Sequence, residues 1–176
     1  MKRSRPEVAA PLVDFADLYR EYAADVRRFA LYLSGDAALA DDLVSEVFVR
    51  VWTARDRVDL TTVRAYLFAI VRNLFLKHRR EQGRRLPLDE RMATGEPDPE
   101  HRMRDLSDWQ AVLAALARLP EIDRAALLMR ADEGLPYEEI AAALGISTTA
   151  AKVKVHRSRL KLADTLKAIP GKSSKE

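Results

Sequence analysis

The stretch from Tyr137 to Leu162, YEEIAAALGISTTAAKVKVHRSRLKL, limits the possible folds of this chain more than any other segment. Apolar residues at helical spacing predict a first helix, and Gly145 ends it, because glycine adopts the left-handed conformation at little cost. Ser147 is a suitable N-cap for a second helix. Small or apolar residues recur every three or four positions in that helix and form its inward side: Ala151, Val155, Ser158 and Leu162. The segment therefore predicts a helix-turn-helix.

The opposite face of the second helix is polar near its start and cationic further along. It carries Thr148, Thr149, Lys152, Val153, His156 and Arg157, with Arg159 beyond them. A recognition helix needs this distribution, because its first turns reach base edges in the major groove and its later cations meet phosphates. The alternative is a surface hairpin with a basic, solvated face. The glycine turn followed by a capped basic helix favours DNA binding.

Composition excludes several classes of protein. The 176 residues include no cysteine, which excludes disulfides and thiolate metal sites, and the three histidines are too dispersed for a metal site. No apolar run approaches the roughly 20 residues of a membrane helix, and the N-terminus lacks the apolar core of a secretory signal. No catalytic constellation occurs. We therefore expect a cytoplasmic protein that is not an enzyme, with no cofactor, no metal and no membrane insertion.

The charges are distributed unevenly along the chain. Residues 61–80 contain five cations and no acid, and residues 151–176 contain eight cations and two acids. The segment between them, residues 81–107, has five arginines and seven acids. Two basic segments on either side of an acidic connector indicate two separate phosphate-contacting surfaces.

Helical spacing of apolar residues continues through the rest of the chain, without the strict alternation of a strand. We predict helices over residues 14–33, 36–55, 61–80, 107–118 and 120–133, besides the helix-turn-helix. Gln82 and Gly83 are predicted to end the third helix, before a weakly patterned, proline-containing segment. The fold class is therefore all-α, with two small helical domains joined by a flexible linker. The expected boundaries are a flexible tail (1–11), a first domain (12–82), a linker (83–106), a second domain with the helix-turn-helix (107–168) and a tail (169–176).

Four segments resemble, in order, those of the extracytoplasmic-function sigma factors of bacterial RNA polymerase. They are residues 41–52 (DDLVSEVFVRVW), residues 64–73 (RAYLFAIVRN), residues 119–141 with the motifs LP, RAALL and GLPYEEIA, and residues 152–159 (KVKVHRSR). In that family the first segment is a polymerase-binding helix and the second a promoter-melting helix. The last two segments belong to the domain that carries the recognition helix. Together with the linker, the resemblance spans residues 12–165.

The resemblance implies a promoter-specific initiation factor that binds core RNA polymerase, directs it to −10 and −35 elements and stabilises the melted promoter. It implies polymerase contacts, on a clamp helix of the large subunit, by Asp41, Asp42, Ser45, Glu46 and Arg50. The expected contacts with the −10 element are Arg57, Asp59, Arg64, Asn73, Lys77 and Arg80. The exposed face of the recognition helix would contact the −35 element. An anti-sigma factor is a further expected partner.

Some positions leave alternatives open. Ser45 stands where glutamine is common in the family, and Tyr66 where tryptophan is frequent. Spacing alone also fits a merely solvated acidic face in residues 41–50. Four aromatic residues are expected in the core rather than at a stacking platform: Trp52, Tyr66, Phe68 and Phe75. The alternative function is a free-standing helix-turn-helix regulator, which would need neither the acidic face nor the cationic third helix; an enzyme would need a catalytic constellation.

Overall fold

The computed structural model describes residues 14–54, 61–85 and 108–167, and the regular structure in these ranges is entirely helical. The seven helices in the described ranges are α1 (Phe15–Ser34), α2 (Ala37–Thr53), α3 (Val63–Arg85), α4 (Asp108–Ala117), α5 (Glu121–Ala131), α6 (Tyr137–Leu144) and α7 (Thr148–Lys167). The all-α class is confirmed. Each predicted helix is present, with boundaries that differ by a few residues.

Local capping explains where the first helices begin and end. Asp14 caps α1, and its carboxylate accepts a hydrogen bond of 2.9 Å from the N–H two residues further on. Gly35 ends α1 with a φ of 73°, in the left-handed region that favours glycine. Asp36 then caps α2 by accepting from the N–H of Leu39 at 3.0 Å. The sequence Ser-Gly-Asp therefore fixes a tight connection between two antiparallel neighbours.

Helix α3 extends further than the sequence predicts. Gly83 was expected to end it, but α3 continues to Arg85 and Gly83 has no positive φ. A glycine inside a helix costs about 1 kcal/mol relative to alanine. The preceding residues, Glu81 and Gln82, have high helix propensity, and the helix continues through Gly83. The linker predicted at 83–106 therefore begins inside a helix, and from residue 86 it lies outside the described residues.

The predicted helix-turn-helix is confirmed in α6 and α7. Gly145 has a φ of 66°, and the N–H of Ile146 donates to the carbonyl of Ala141 at 3.0 Å. Ser147 accepts from the N–H of Ala150 at 3.1 Å and so caps α7. Three residues of the predicted inward side of α7 are buried, Ala151, Val155 and Ser158, and the fourth, Leu162, is half-buried and packs against the core.

Helices α1–α3 form an N-terminal half and helices α4–α7 a C-terminal half, and the two halves pack together. Helix α1 contacts α4 and α5, while α3 contacts α5 and α6. The buried apolar side chains of both halves belong to one continuous cluster. Within the N-terminal half, the rings of Phe29 and Phe68 lie 4.7 Å apart between centroids. The packing places the outward sides of α2, α3 and α7 on the surface.

Candidate polymerase and nucleic-acid interfaces

The outward face of α7 is exposed along the length that the sequence predicts for DNA contact. Thr148 is half-buried, and the other predicted residues are exposed: Thr149, Lys152, Val153, His156, Arg157 and Arg159. The inward side is fixed to α5, because Ser158 donates to the carbonyl of Asp123 at 3.3 Å. Lys154 donates to the carboxylate of the same Asp123 at 2.8 Å. Helix α7 is therefore held in one rotation, with its basic face toward solvent.

The cations on the outward face of α7 have few partners among the residues that the structure describes. Lys152 lies 5.7 Å from the ring centroid of Tyr137, whose ring also lies 4.7 Å from the guanidinium of Arg130. In the described ranges, His156, Arg157 and Arg159 form no ion pair. A cation without an acidic partner can neutralise a phosphate without first breaking an internal bond. The arrangement suits binding to a polyanion.

The predicted polymerase-contacting residues share one exposed face of α2. All five are exposed: Asp41, Asp42, Ser45, Glu46 and Arg50. Arg27 of α1 donates to Asp41 at 2.6 Å, and Arg50 pairs with Glu46 at 2.8 Å. Both pairs are solvent-exposed, where an ion pair contributes only about 0–1 kcal/mol. A basic partner could therefore replace these internal contacts at small cost.

Three of the predicted −10 residues lie together on α3. Asn73, Lys77 and Arg80 are exposed, and multiples of three or four residues place them on one side of the helix. Lys77 lies 3.9 Å from Glu81, and Arg80 donates to the carbonyl of Leu76 at 3.3 Å. Arg57 and Asp59, which were also predicted, lie outside the described residues.

Tyr66 and Trp52 are exposed, which corrects the expectation that they lie in the core. Tyr66 is 39% exposed and Trp52 is 48% exposed, whereas Phe68 and Phe75 are buried as expected. Trp52 packs edge-on against Phe15, with 5.0 Å between ring centroids. Tyr66 precedes Asn73 by seven residues, which is two helical turns, so the two side chains lie on the same side of α3. Because Asn73 is polar, this spacing could have predicted that Tyr66 is exposed.

Arg64 lies on the other side of α3 from the remaining −10 candidates. Its guanidinium donates to Asp25 of α1 at 2.8 Å and to Glu133 at 2.9 Å. The Glu133 side chain is fully buried and also accepts from Arg28 at 2.6 Å. Burial raises the pKa of Glu133 to about 6, against the opposing effect of the Arg28 guanidinium. The structure thus does not group Arg64 with Asn73, and its contact with DNA stays a prediction.

In the described ranges, every helix is too short or too polar to span a membrane. No group of three or more histidine, cysteine, aspartate or glutamate side chains in those ranges is placed to hold a metal ion.

Comparison with known proteins identifies the family. The family described as Sigma-70 region 2 matches residues 18–85, and Sigma-70, region 4 matches residues 109–162. The chain is 36% identical to the ECF RNA polymerase sigma factor SigE of Mycolicibacterium smegmatis over 89% of its own length and 63% of that protein. It is 31% identical to the ECF RNA polymerase sigma factor SigL of Mycobacterium tuberculosis, over 89% of this chain and 90% of SigL.

Two solved structures resemble the whole described arrangement. The sigma factor RpoE of Bartonella quintana, in complex with the anti-sigma factor NepR, has a TM-score of 0.73 at 28% identity, over 88% of this chain and 98% of that one. CnrH, in complex with the cytosolic domain of CnrY, has a TM-score of 0.62 at 26% identity, over 88% of each chain. The chain belongs to the extracytoplasmic-function sigma factors, the initiation factors that direct core RNA polymerase to promoters.

Proposed function

We propose that the three exposed surfaces divide the work of a sigma factor. Residues 12–82 would bind polymerase and the −10 element, and residues 107–168 would bind the −35 element. The observation that carries the proposal is that α2, α3 and α7 each turn predicted contact residues outward, with Arg64 of α3 as the exception, while their apolar sides are buried. A single helix with one polar, exposed side and one buried, apolar side would be ordinary. Three such helices, in the order in which the family places its contact surfaces, support three separate contacts.

The acidic face of α2 is proposed to dock on a basic surface of the large polymerase subunit. Asp42 has no hydrogen bond or ion pair in the described ranges, and the partner of Glu46 is an exposed arginine on the same helix. Both carboxylates are therefore free to meet cations of a partner, where complementary charge accelerates binding and fixes register. Ser45 lies between them, and its hydroxyl donates to the carbonyl of Asp41 at 3.1 Å.

Charge reversal at α2 tests this docking. We expect Asp42→Arg with Glu46→Arg to abolish retention of core polymerase in a pull-down, because attraction becomes repulsion on an exposed face. Asp17→Arg with Glu21→Arg is a matched control, since these acids are exposed at the same spacing on α1. Normal retention by the α2 variant would remove the docking assignment, as would equal loss in the control.

The outward side of α3 is proposed to hold the opened −10 region. Single-stranded DNA is bound by cations along its backbone and by groups that contact unstacked bases. Lys77 and Arg80 supply the cations, and Asn73 supplies an amide that can donate to or accept from a base edge. Arg57 and Asp59 are proposed to contribute from the connector before α3, and Arg64 from the other side of the helix.

The outward face of α7 is proposed to bind the −35 element in the major groove. Thr148, Thr149 and Lys152 lie in the first turns, where a recognition helix contacts base edges. Val153 offers an apolar contact with a thymine methyl group, and His156 lies one turn further along. The later Arg157 and Arg159 are proposed to contact phosphates, which would position the helix without selecting a sequence.

The remaining expectations concern partners and setting. Both similar structures contain an anti-sigma factor or the cytosolic domain of a partner protein, and we propose that an anti-sigma factor also controls this chain. We propose a cytoplasmic, non-enzymatic factor that needs no cofactor. Run-off transcription with core polymerase tests the function: a promoter-dependent transcript should require the chain. Tight duplex binding by the chain alone, without such a transcript, would instead favour the free-standing regulator.

A further inference from the structure

The ring of Tyr137 lies beside two cations that come from different helices of the C-terminal half. Tyr137 is the first residue of α6, is half-buried and packs against the core. The guanidinium of Arg130, in the last turn of α5, lies 4.7 Å from the ring centroid. The ammonium of Lys152, in the second turn of α7, lies 5.7 Å from it. Both distances are within the roughly 6 Å over which an aromatic ring attracts a cation.

One end of this arrangement is fixed to the backbone. Arg130 donates to the carbonyl of Leu135 at 2.9 Å, in the turn between α5 and α6. The bond restrains the guanidinium, and the guanidinium in turn restrains the ring of Tyr137. The side chain of Lys152 is therefore restrained from outside its own helix, through the ring, by the turn that precedes α6.

Lys154 shows what a different kind of partner does to a lysine of the same helix. Its ammonium donates to the carboxylate of Asp123 at 2.8 Å, and each side chain is less than 30% exposed. A carboxylate cancels the charge of a lysine and occupies one of its donors. An aromatic ring attracts the cation without cancelling its charge. Since Lys152 forms no hydrogen bond or ion pair with the described residues, it is held in place and can still donate to an acceptor outside the chain.

A restrained lysine is better suited than a free one to contact a particular base. The lysine stem is flexible, and fixing one of its conformations on binding costs free energy. A side chain that is already restrained loses less on binding. Arg157 and Arg159 are proposed to contact phosphates, which carry no sequence information, so they have less need of such a restraint.

We propose that Tyr137 is a positioning residue, whose ring restrains Lys152 for contact with a base edge of the −35 element. The sequence preference of α7 then depends on a side chain that lies outside α7. This inference rests on the proposed function for the DNA contact of Lys152, whereas the contact between the ring and Lys152 is independent of it. In this role Tyr137 acts through Lys152 and does not itself select a base.

Nuclear magnetic resonance of the full chain tests the ring contact without DNA. The ring current of an aromatic side chain shifts protons above its face upfield, so the methylene protons next to the ammonium of Lys152 should be shifted upfield. Tyr137→Leu should return them to the shifts of an exposed lysine such as Lys161. Tyr137→Phe and Tyr137→Trp should retain the upfield shift, because each keeps an aromatic ring. Methylene protons of Lys152 with the same shifts in the wild type and in Tyr137→Leu would overturn the contact.

Transcription by the chain with core polymerase tests the positioning. The promoters differ by single bases in the −35 element, and the base pair read by Lys152 is the one at which Lys152→Ala changes the preference. At that base pair Tyr137→Leu should lower the preference about two- to fivefold, the range expected for one exposed cation–ring contact. Tyr137→Phe and Tyr137→Trp should keep the wild-type preference. A wild-type preference in Tyr137→Leu would overturn the positioning role, and so would its loss in Tyr137→Phe.

A double-mutant cycle separates positioning from a general effect on folding. In a chain that already carries Lys152→Ala, Tyr137→Leu should change the preference no further, because no lysine remains to be positioned. A further loss would overturn the role. Tyr32→Leu is a matched control, since Tyr32 is also half-buried and its ring contacts that of Trp109; it should keep the wild-type preference. If Tyr137→Leu loses helical circular dichroism, Tyr137→Met decides the question, because methionine is apolar and adaptable but has no ring.

Failure of the proposed function would give a different result. If Lys152→Ala changes the preference at no base pair of the −35 element, the proposed base contact of Lys152 is wrong, and the positioning role is overturned with it. The chemical shifts would still decide whether the ring contact exists, because they are measured without DNA or polymerase.

Discussion

Two cations of α3 and three cations of α7 have opposite environments although both helices are rich in basic residues. On α7, Lys152, Arg157 and Arg159 are all exposed to solvent. On α3, Arg64 and Arg72 bind carboxylates of the other half of the molecule. The difference shows that a helix rich in basic residues does not by itself form a DNA-binding surface. The acids that the fold places opposite a cation decide whether it is available to phosphate.

The reason lies in the neighbours of each helix. Helix α3 packs against α5 and against the turn that follows it, which supply Glu121 and Glu133. Helix α7 meets one acid of α5, Asp123, and that carboxylate binds Lys154, a residue outside the exposed row. Four pairs of substitutions, from the largest expected effect to the smallest, would sharpen or break this contrast.

Breaking the buried pair of α3 should have the largest effect on stability. Arg72→Ala leaves the carboxylate of Glu121 buried without its cation, so the free energy of unfolding should fall by about 3–5 kcal/mol. Arg157→Ala on α7 should change it by less than about 0.5 kcal/mol, because that side chain is exposed. Urea unfolding of both variants measures the difference. Similar values for the two would mean that the cations of α3 and α7 are equivalent in solution.

Removing an early cation of α7 should change which sequence is preferred. Lys152→Ala should cost about 1–3 kcal/mol of discrimination at one base pair of the −35 element, if its contact with a base edge is direct. Arg159→Ala should weaken binding to all sequences alike and reduce the salt slope by about one unit. Transcription from single-base −35 variants, with binding at several salt concentrations, separates the two. The reverse pattern would mean that α7 is rotated or shifted in the groove.

The buried acid opposite α3 should make stability depend on pH. Burial raises the pKa of Glu133 to about 6 from its ordinary 4.5, in the presence of Arg28, Arg64, Asp25 and Asp132. The folded chain therefore binds this proton more readily than the unfolded chain. The resulting stabilisation is complete below about pH 4.5 and is lost as the pH rises through about 6, with a magnitude on the order of 1–2 kcal/mol.

A glutamine at this position should remove that dependence. Urea unfolding between pH 5 and 7 should show a smaller pH slope in Glu133→Gln than in the wild type. Glu138→Gln on α6 changes an exposed acid and should keep the wild-type slope. A wild-type slope in Glu133→Gln would mean that the Glu133 carboxylate remains ionised in the folded chain throughout this range.

The smallest effect concerns the two sides of α3. In the polymerase complex, Lys77→Ala should reduce the salt slope for single-stranded −10 DNA by about 0.7, as expected for one lost phosphate contact. Arg64→Ala should reduce that slope by a similar amount, because Arg64 is also proposed to contact the −10 element. An unchanged slope in Arg64→Ala would show instead that Arg64 stays bound to Asp25 in the polymerase complex.

The sequence alone determined the features that depend on near neighbours. Asp14, Asp36 and Ser147 cap their helices as their side chains require, and Gly145 turns the chain where only glycine does so cheaply. Helical periodicity likewise predicted which sides of α2 and α7 face outward. Each of these features involves groups within a few residues of one another, so their pattern is visible in the linear chain.

Only the tertiary structure decided which charges meet. Arg28 and Glu133 are separated by 105 residues, and Arg72 and Glu121 by 49, so no local pattern pairs them. The same packing buries Arg124 in α5, where burial lowers its pKa. Spacing identifies these residues as charged and helical. Whether such a charge stays in water or is held by an opposite charge depends on what the fold brings within about 3 Å of it.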